Sequence, residues 1–359
     1  MKKELSGYLN ETYTNDSIVS FQLKRPFFEP NNGATSWYAE IGLGTPVQHK
    51  LRFMIDTGTK NTWITSDLCT TTACAPHNKF NPSASSTYKV HGKEEEISFG
   101  AWGSMTITPS KDDISLPGIT DPLEIVFDMS TNYTGSQFQE LICDGGLGIP
   151  SHIFKEHNSS LILNLLKHKG LIGNAVASFW YNRISGKGEV LFGGIDTSKF
   201  HTETANKLNL IKFPTDRECW LVNLDNLNGL FGDGTTQNIL TNVAFALDTG
   251  SSQFKGDPKF IDAAKKVITN NGKYPETIKS PGKVSDYPYP VLELILNGVS
   301  YKLPPEKYFI RSSETEWDLA FHFLDGCENE FLVGTTFLET VYSIFDFENR
   351  CITLAQPRF

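Results

Sequence analysis

Two segments of the chain read almost alike: Phe53-Met54-Ile55-Asp56-Thr57-Gly58-Thr59 and Phe245-Ala246-Leu247-Asp248-Thr249-Gly250-Ser251. Each is an apolar run, then Asp-Thr-Gly, then a hydroxyl residue. They stand 192 positions apart in a chain of 359, so each half carries one copy. One Asp-Thr-Gly arises by chance in about one chain in ten of this length, whereas two copies with matching flanks are a specific signal. The duplication implies two related lobes, each presenting one carboxylate to a shared site. Apolar residues before each Asp fit a buried strand. The Gly permits a tight turn, so each Asp is expected at a strand-to-turn junction. Thr57 and Thr249 can bond across to the backbone of the opposite turn. Thr59 and Ser251 can donate to the outer carboxylate oxygens.

Two carboxyls held close together cannot both ionise easily, so the pair keeps one proton over a wide acidic range. Such a pair suits amide hydrolysis. The charged Asp takes a proton from a water between the two carboxyls, and the neutral Asp donates a hydrogen bond to the carbonyl under attack. A tetrahedral diol forms, and the protons return to release the amine. Neither a metal nor another cofactor is required.

These segments and their surroundings resemble the pepsin-like aspartic endopeptidases. Trp37-Tyr38-Ala39-Glu40-Ile41-Gly42-Leu43-Gly44-Thr45-Pro46-Val47-Gln48 is similar to the strand and turn before the family's first Asp. Asn61-Thr62-Trp63-Ile64 follows that Asp, with Trp63 where the family has the Trp that backs its flap. Cys69 and Cys74 resemble a family disulfide closing a short loop. His77-Asn78-Lys79-Phe80-Asn81-Pro82, Ser85-Ser86-Thr87-Tyr88, Asp144-Gly145-Gly146-Leu147-Gly148, Gly193-Gly194-Ile195-Asp196, Phe331-Leu332-Val333-Gly334 and Phe345-Asp346 with Asn349-Arg350 match later landmarks. The likeness covers roughly residues 37 to 357; residues 1 to 36 carry no recognisable motif. It implies an all-β, bilobal fold. Two pseudo-twofold-related β lobes would share an interlobe sheet, with few short helices. Asp56 and Asp248 would be catalytic, an extended peptide would lie in the interlobe cleft, and apolar residues would flank the cut. An acidic pH optimum is implied too. The shared-proton dyad is established behaviour of that family, not a deduction from these residues. The other reading is a catalytically silent pepsin-like binding or inhibitory protein. Such relatives generally lose part of a dyad segment, and both segments are whole here.

Two departures stand out. Ile97-Ser98-Phe99-Gly100-Ala101-Trp102-Gly103-Ser104-Met105 resembles the flap hairpin, one residue longer, with Phe99 where the family usually has Tyr. Phe99 cannot bond to the Trp63 indole, so it is expected to cover substrate by packing alone, with Trp102 stiffening the tip. Gly146 stands where the family prefers a larger apolar residue, and Cys143 falls near another pocket-lining position. Together they suggest a roomier pocket on the flap side.

The composition bounds the remaining readings. The chain is 39% hydrophobic and 12% aromatic, with 29 Gly and 18 Pro, which favours an all-β protein with sizeable cores. A net charge of −9 argues against nucleic acid or an anionic membrane as partner. No apolar stretch is long enough to span a bilayer. The partners expected are peptide or protein substrates, for a monomer. Met1-Lys2-Lys3-Glu4 opens a polar start without an apolar leader, and the chain reads as essentially the mature enzyme. Six cysteines leave the pairing of Cys143, Cys219, Cys327 and Cys351 open, with Cys327–Cys351 favoured and Cys143 and Cys219 free. Cys-x-x-Cys and His-Glu-x-x-His are absent, so metal binding is not expected. Sequons at Asn10, Asn15, Asn132 and Asn158 fit a secreted or otherwise extracytoplasmic protein, though the missing leader leaves an intracellular form open.

Along the chain, residues 1–16 are expected to be flexible, 17–205 to form the N-terminal lobe with the flap, and 206–359 the C-terminal lobe. Ser17–Leu23 reads as a strand that would join the shared sheet, and Asn206–Thr215 as the interlobe connection. Ser160–Lys169 reads as a helix capped by Ser160, with Leu161, Leu165 and His168 on one face and Gly170 ending it. A second helix starts at Asp257-Pro258, with Phe260, Ala264, Val267 and Ile268 on one face. Val291–Gly298 reads as a strand that ends in a hairpin turn.

Overall fold

A period of two governs most of this chain. Leu292, Leu294 and Leu296 are fully buried, while Val291, Glu293 and Ile295 between them are half-buried. Asn297 at φ +47° and Gly298 at φ +72° then turn the chain into Val299–Leu303, as a tight hairpin requires. The computed structural model describes residues 9, 13, 17–29, 32–99, 103–152, 161–211, 219–324 and 328–359.

Among these residues, strands assemble into three large sheets and one small one. The first sheet runs from Ala39–Leu43 through the first dyad strand Gln48–Asp56, Gly145–Gly148, Trp63–Thr65 and the long hairpin Ser104–Ser115/Leu123–Tyr133. The second holds the second dyad strand Thr236–Leu247 between Leu221–Leu230 and Glu330–Val333, with Phe254–Gly256 and Phe321–Phe323 beyond. The local pairing repeats. Gln48–Asp56 runs parallel to Gly145–Gly148, which is antiparallel to Trp63–Thr65. Thr236–Leu247 runs parallel to Glu330–Val333, which is antiparallel to Phe254–Gly256. The third sheet, ordered Val19–Lys24, Lys187–Phe192, Val176–Asn182, Tyr342–Asp346, Cys351–Pro357 and Phe200–Asn209, draws strands from both halves and joins the lobes. This is the bilobal all-β architecture, with its N-terminal strand in the shared sheet. The boundary expected at 205/206 falls inside Phe200–Asn209, which pairs with Cys351–Pro357; residues 212–218 of the expected connection lie outside the described residues.

The helices are few and differ in detail from expectation. Ile162–His168 has Leu161 at its N-cap position, without a side-chain cap, and Ser160 lies outside the described residues. It buries Ile162, Leu163 and Leu166, while His168 is exposed, so the face is one position off the expected one. Gly170, at φ +68°, ends it. Pro258–Ile268 begins as expected, with the Asp257 carboxylate accepting the Lys259 N–H at 3.0 Å, and buries Ile261, Ala264, Val267 and Ile268. Within the segment expected to be flexible, Leu9 and Tyr13 are buried, and Tyr13 donates its hydroxyl to Asp346 at 2.5 Å.

Long-range polar contacts tie the lobes together. Trp220, fully buried, donates its indole N–H to the Ile149 carbonyl at 2.8 Å. Behind the shared sheet, Arg25 bonds Glu29 at 2.9 Å and Glu339 at 3.0 Å, and Arg183 reaches Glu29 at 3.3 Å. Glu339 also accepts the Trp37 indole N–H at 2.6 Å. Burial pushes the Glu29 carboxyl above its ordinary range, against the pull of Arg183 and Arg25. Removing one member leaves buried charge uncompensated. Glu339→Ala should therefore cost about 3–5 kcal/mol of stability, read from its urea midpoint. Lys89→Ala, which breaks the exposed pair with Glu124, should cost less than about 1 kcal/mol. Equal midpoint shifts for the two variants would contradict this assignment.

Candidate active site

Each dyad strand ends at its Asp, and the chain reverses at once. The two turns then hold each other. Thr57 N–H donates to Thr249 Oγ1 at 3.0 Å, and Thr249 N–H donates to Thr57 Oγ1 at 2.9 Å. Each hydroxyl passes its own proton to the opposite strand: Thr57 Oγ1 to the Leu247 carbonyl at 3.0 Å, and Thr249 Oγ1 to the Ile55 carbonyl at 2.6 Å. Both threonines are buried, at 0% and 2% exposure, so this crossed network is sheltered from competing water.

The network sets the carboxylates face to face. Gly58 N–H donates to Asp56 Oδ1 at 2.7 Å, and Gly250 N–H donates to Asp248 Oδ1 at 2.8 Å. A Cβ on Gly58 would lie 2.6 Å from Asp248 Oδ1, and one on Gly250 would lie 2.3 Å from Asp56 Cγ. Each glycine is thus pressed against the other lobe's carboxyl, and no larger residue fits. Burial raises the Asp248 carboxyl above its ordinary range; the Gly250 N–H, the Lys255 charge and a hydrogen bond with Asp56 pull the other way.

The outer hydroxyl on the second turn differs from the expectation. Ser251 Oγ donates to the Gly33 carbonyl at 3.1 Å, and Thr59 Oγ1 accepts the Asn61 N–H at 3.1 Å. Both stiffen the turns. The Gly33 contact belongs to a clasp in a stretch where the sequence shows no motif: Thr35 N–H donates to the Gly250 carbonyl at 2.8 Å and Ser252 N–H to the Gly33 carbonyl at 2.9 Å.

A cleft of about 270 Å³ opens over the two Asp residues. Ser98 and Phe99 of the hairpin Glu95–Ser98/Ser104–Ser115 line one side; Leu324, Leu332 and Ala246 give apolar wall on the other. Phe99 N–H donates to the Gly103 carbonyl at 2.8 Å, closing the hairpin; Gly100 and Trp102 lie outside the described residues. The Phe99 ring meets Trp63 edge-on at 6.0 Å and Phe138 at 5.8 Å, so the Trp63 indole packs directly against Phe99. Beneath them sits a cluster with Tyr133, Met54, Met105 and the Cys69–Cys74 disulfide. Arg52 grips Asp144 with two bonds of 3.0 and 2.6 Å, fixing the start of Gly145–Gly148 beside the first dyad strand.

Gly146 does not leave open space. A Cβ on Gly146 would lie 2.6 Å from Trp63 Nε1, so the indole fills the space a side chain would take. Cys143 is fully buried in the cluster behind the flap, away from the cleft. Cys143 and Cys219 are free thiols. Cys351 is free as well, its thiol pushed up to about 11 by burial, and Cys327, its favoured partner, lies outside the described residues. Cleft residues that sequence reasoning missed are Cys219, Lys255 and Glu330. The one signal for Lys255 was a lysine set between Phe254 and Gly256 just after the second dyad turn.

A family model described as eukaryotic aspartyl protease matches residues 36–357. The chain is 29% identical over 334 residues to cathepsin E-B of Xenopus laevis, spanning 89% of this chain and 79% of that protein. It is 29% identical over 327 residues to pepsin A of Rhinolophus ferrumequinum and 26% identical over 327 residues to gastricsin of Callithrix jacchus, spanning 89% of this chain in both cases and 80% and 81% of those proteins. With two crossed Asp-Thr-Gly turns at the floor of one cleft and a family match over nearly its whole length, the chain belongs to the eukaryotic aspartyl proteases and is an aspartic endopeptidase.

Proposed function

We propose that Asp56 and Asp248 hydrolyse peptide bonds as a singly protonated pair, on an extended substrate lying in the cleft beneath Phe99. The observation that carries this reading is the mutual contact of each dyad glycine with the opposite carboxyl, which leaves the two acids facing one shared space. One carboxylate takes a proton from the water between them while the neutral partner polarises the scissile carbonyl. The rise of Asp248 through burial supports the donor role, since it lets a neutral carboxyl persist to higher pH than an ordinary Asp would. Phe99, Leu324 and Leu332 support apolar residues flanking the cut. The Cys69–Cys74 disulfide supports a secreted or otherwise extracytoplasmic route, because such bonds persist in oxidising compartments. Among the described residues no helix is long and apolar enough to cross a membrane. Of the sequons, Asn132 lies in Leu123–Tyr133, paired with Thr106, and the other three fall outside the described residues.

Cleavage of a denatured protein from about pH 3 to about pH 7, with and without a statine-type transition-state analogue, tests the dyad. Inhibitable cleavage by the wild type and its loss in both Asp56→Ala and Asp248→Ala is expected. Retained cleavage in either variant would overturn the assignment, and a folded wild type that binds the analogue without cleaving would favour the silent reading. At the flap, Phe99→Tyr should retain or raise kcat/KM, because Trp63 offers an indole N–H. Phe99→Ala should lower it by about 100-fold through lost positioning of substrate. An unchanged kcat/KM in the alanine variant would remove Phe99 from the site.

A further inference from the structure

We propose that Lys255 is a positioning residue of the dyad, whose ammonium sets the pH range over which Asp56 and Asp248 work; this rests on the dyad reading above. Lys255 sits in Phe254–Gly256, 7% exposed, and lines the same cleft as both Asp residues. Space for its head group is built into the backbone. Gly33 is at φ +75°, and a Cβ there would stand 2.5 Å from Lys255 Cε and 2.6 Å from Nζ. The Gly33 carbonyl also takes the Ser251 hydroxyl and the Ser252 N–H. The N-terminal clasp, the second dyad turn and the lysine stem therefore pack as one unit.

The charges around Lys255 come from four elements. Asp248 stands on the second turn and Asp56 on the first, and Glu330 of Glu330–Val333 lines the same cleft. His322 is in register with Lys255 on the neighbouring strand. Burial, then the charges of Lys265 and Lys255, pull the His322 imidazole down to about 4, so it is neutral through most of the working range. The thiol of Cys219 lines the cleft as well. Residues 32–36 of the clasp carry no ionisable side chain, nor do Ser98 and Phe99 of the flap. Glu330 offsets part of the lysine charge when ionised. Lys255 remains the cation of this cleft among its described lining residues. In a water-poor site a fixed positive charge favours the negative charge that a working dyad must carry. The lysine thus opposes the burial that keeps Asp248 neutral. Without it, both proton losses of the pair move to higher pH. Lys255 touches no reacting atom in this role and acts through the carboxyls.

The test is the pH profile of kcat/KM for the wild type, Lys255→Met and Lys255→Arg, from about pH 2 to about pH 8. In the Met variant both limbs are expected to move up by about one pH unit, and the Arg variant is expected to stay with the wild type. A Met profile superimposed on the wild type would overturn the proposal, as would an Arg profile displaced as far as Met, since that would make the role steric. Should the Met variant not fold, Lys255→Gln serves the same comparison with a polar neutral head. Failure here is distinct from failure of the dyad reading: activity surviving in Asp56→Ala or Asp248→Ala would remove the dyad, whereas unmoved limbs with a dyad-dependent rate would remove Lys255 alone.

Discussion

The crossed hydrogen bonds of Thr57 and Thr249 are the constraint on which the rest of the structure depends. Each threonine accepts from the other's backbone and donates to a carbonyl on the opposite strand. Neither turn can therefore take its shape alone. Four buried bonds hold two peptide segments from different lobes at one separation, and the carboxyls one residue upstream inherit it. The proposed sharing of one proton between the two acids depends on that separation, because like charges held close together cannot both ionise easily. The glycines after the threonines are a consequence: with the turns locked, only a hydrogen fits between each backbone and the opposite carboxyl.

A network this short needs rigid support, and the fold supplies it twice. Each dyad strand is flanked by a parallel strand that ends beside its turn, Gly145–Gly148 in one lobe and Glu330–Val333 in the other. Asp144 anchors the first through Arg52 and Asn78. The lobes are held in register by the shared sheet, by Trp220 reaching Ile149, and by the buried Arg25–Glu29–Glu339 cluster. The Trp220–Ile149 contact reaches the site directly, since the Ile149 N–H donates to the Asp56 carbonyl at 2.7 Å. At the flap hairpin the Phe99 ring meets Trp63 and Phe138 edge-on, and the Ser104 N–H donates to Thr134 Oγ1 at 2.9 Å, tying the returning strand to its neighbour.

The parts of this site written in local residue patterns were legible in advance. The paired Asp-Thr-Gly turns, the flap hairpin, the Trp63 backing and the Cys69–Cys74 loop all follow from short motifs. What escaped depends on residues far apart in the chain. Gly146 suggested an empty pocket because the residue that fills it, Trp63, comes from another strand. The clasp at Gly33 and Thr35 has no motif because it acts through backbone groups, which any sequence carries. Lys255 was passed over because a lysine in a short strand ordinarily points to water; its burial is set by Gly33, more than two hundred positions earlier. The helix Ile162–His168 was found but rotated, since adjacent leucines and isoleucines leave its apolar face ambiguous by one position.

The central claim is that the two turns act as one catalytic unit because the threonines bind each other. Thermodynamic coupling between Thr57→Val and Thr249→Val tests it most directly, with kcat/KM measured for each single variant and for the pair, all verified as folded. Each change removes two of the four bonds and leaves two, which on this account cannot hold the turns in place by themselves. The account therefore predicts that each single variant loses nearly as much as the double, a strongly non-additive cycle. Independent losses that multiply in the double variant would contradict it and would mean that each lobe positions its own carboxyl.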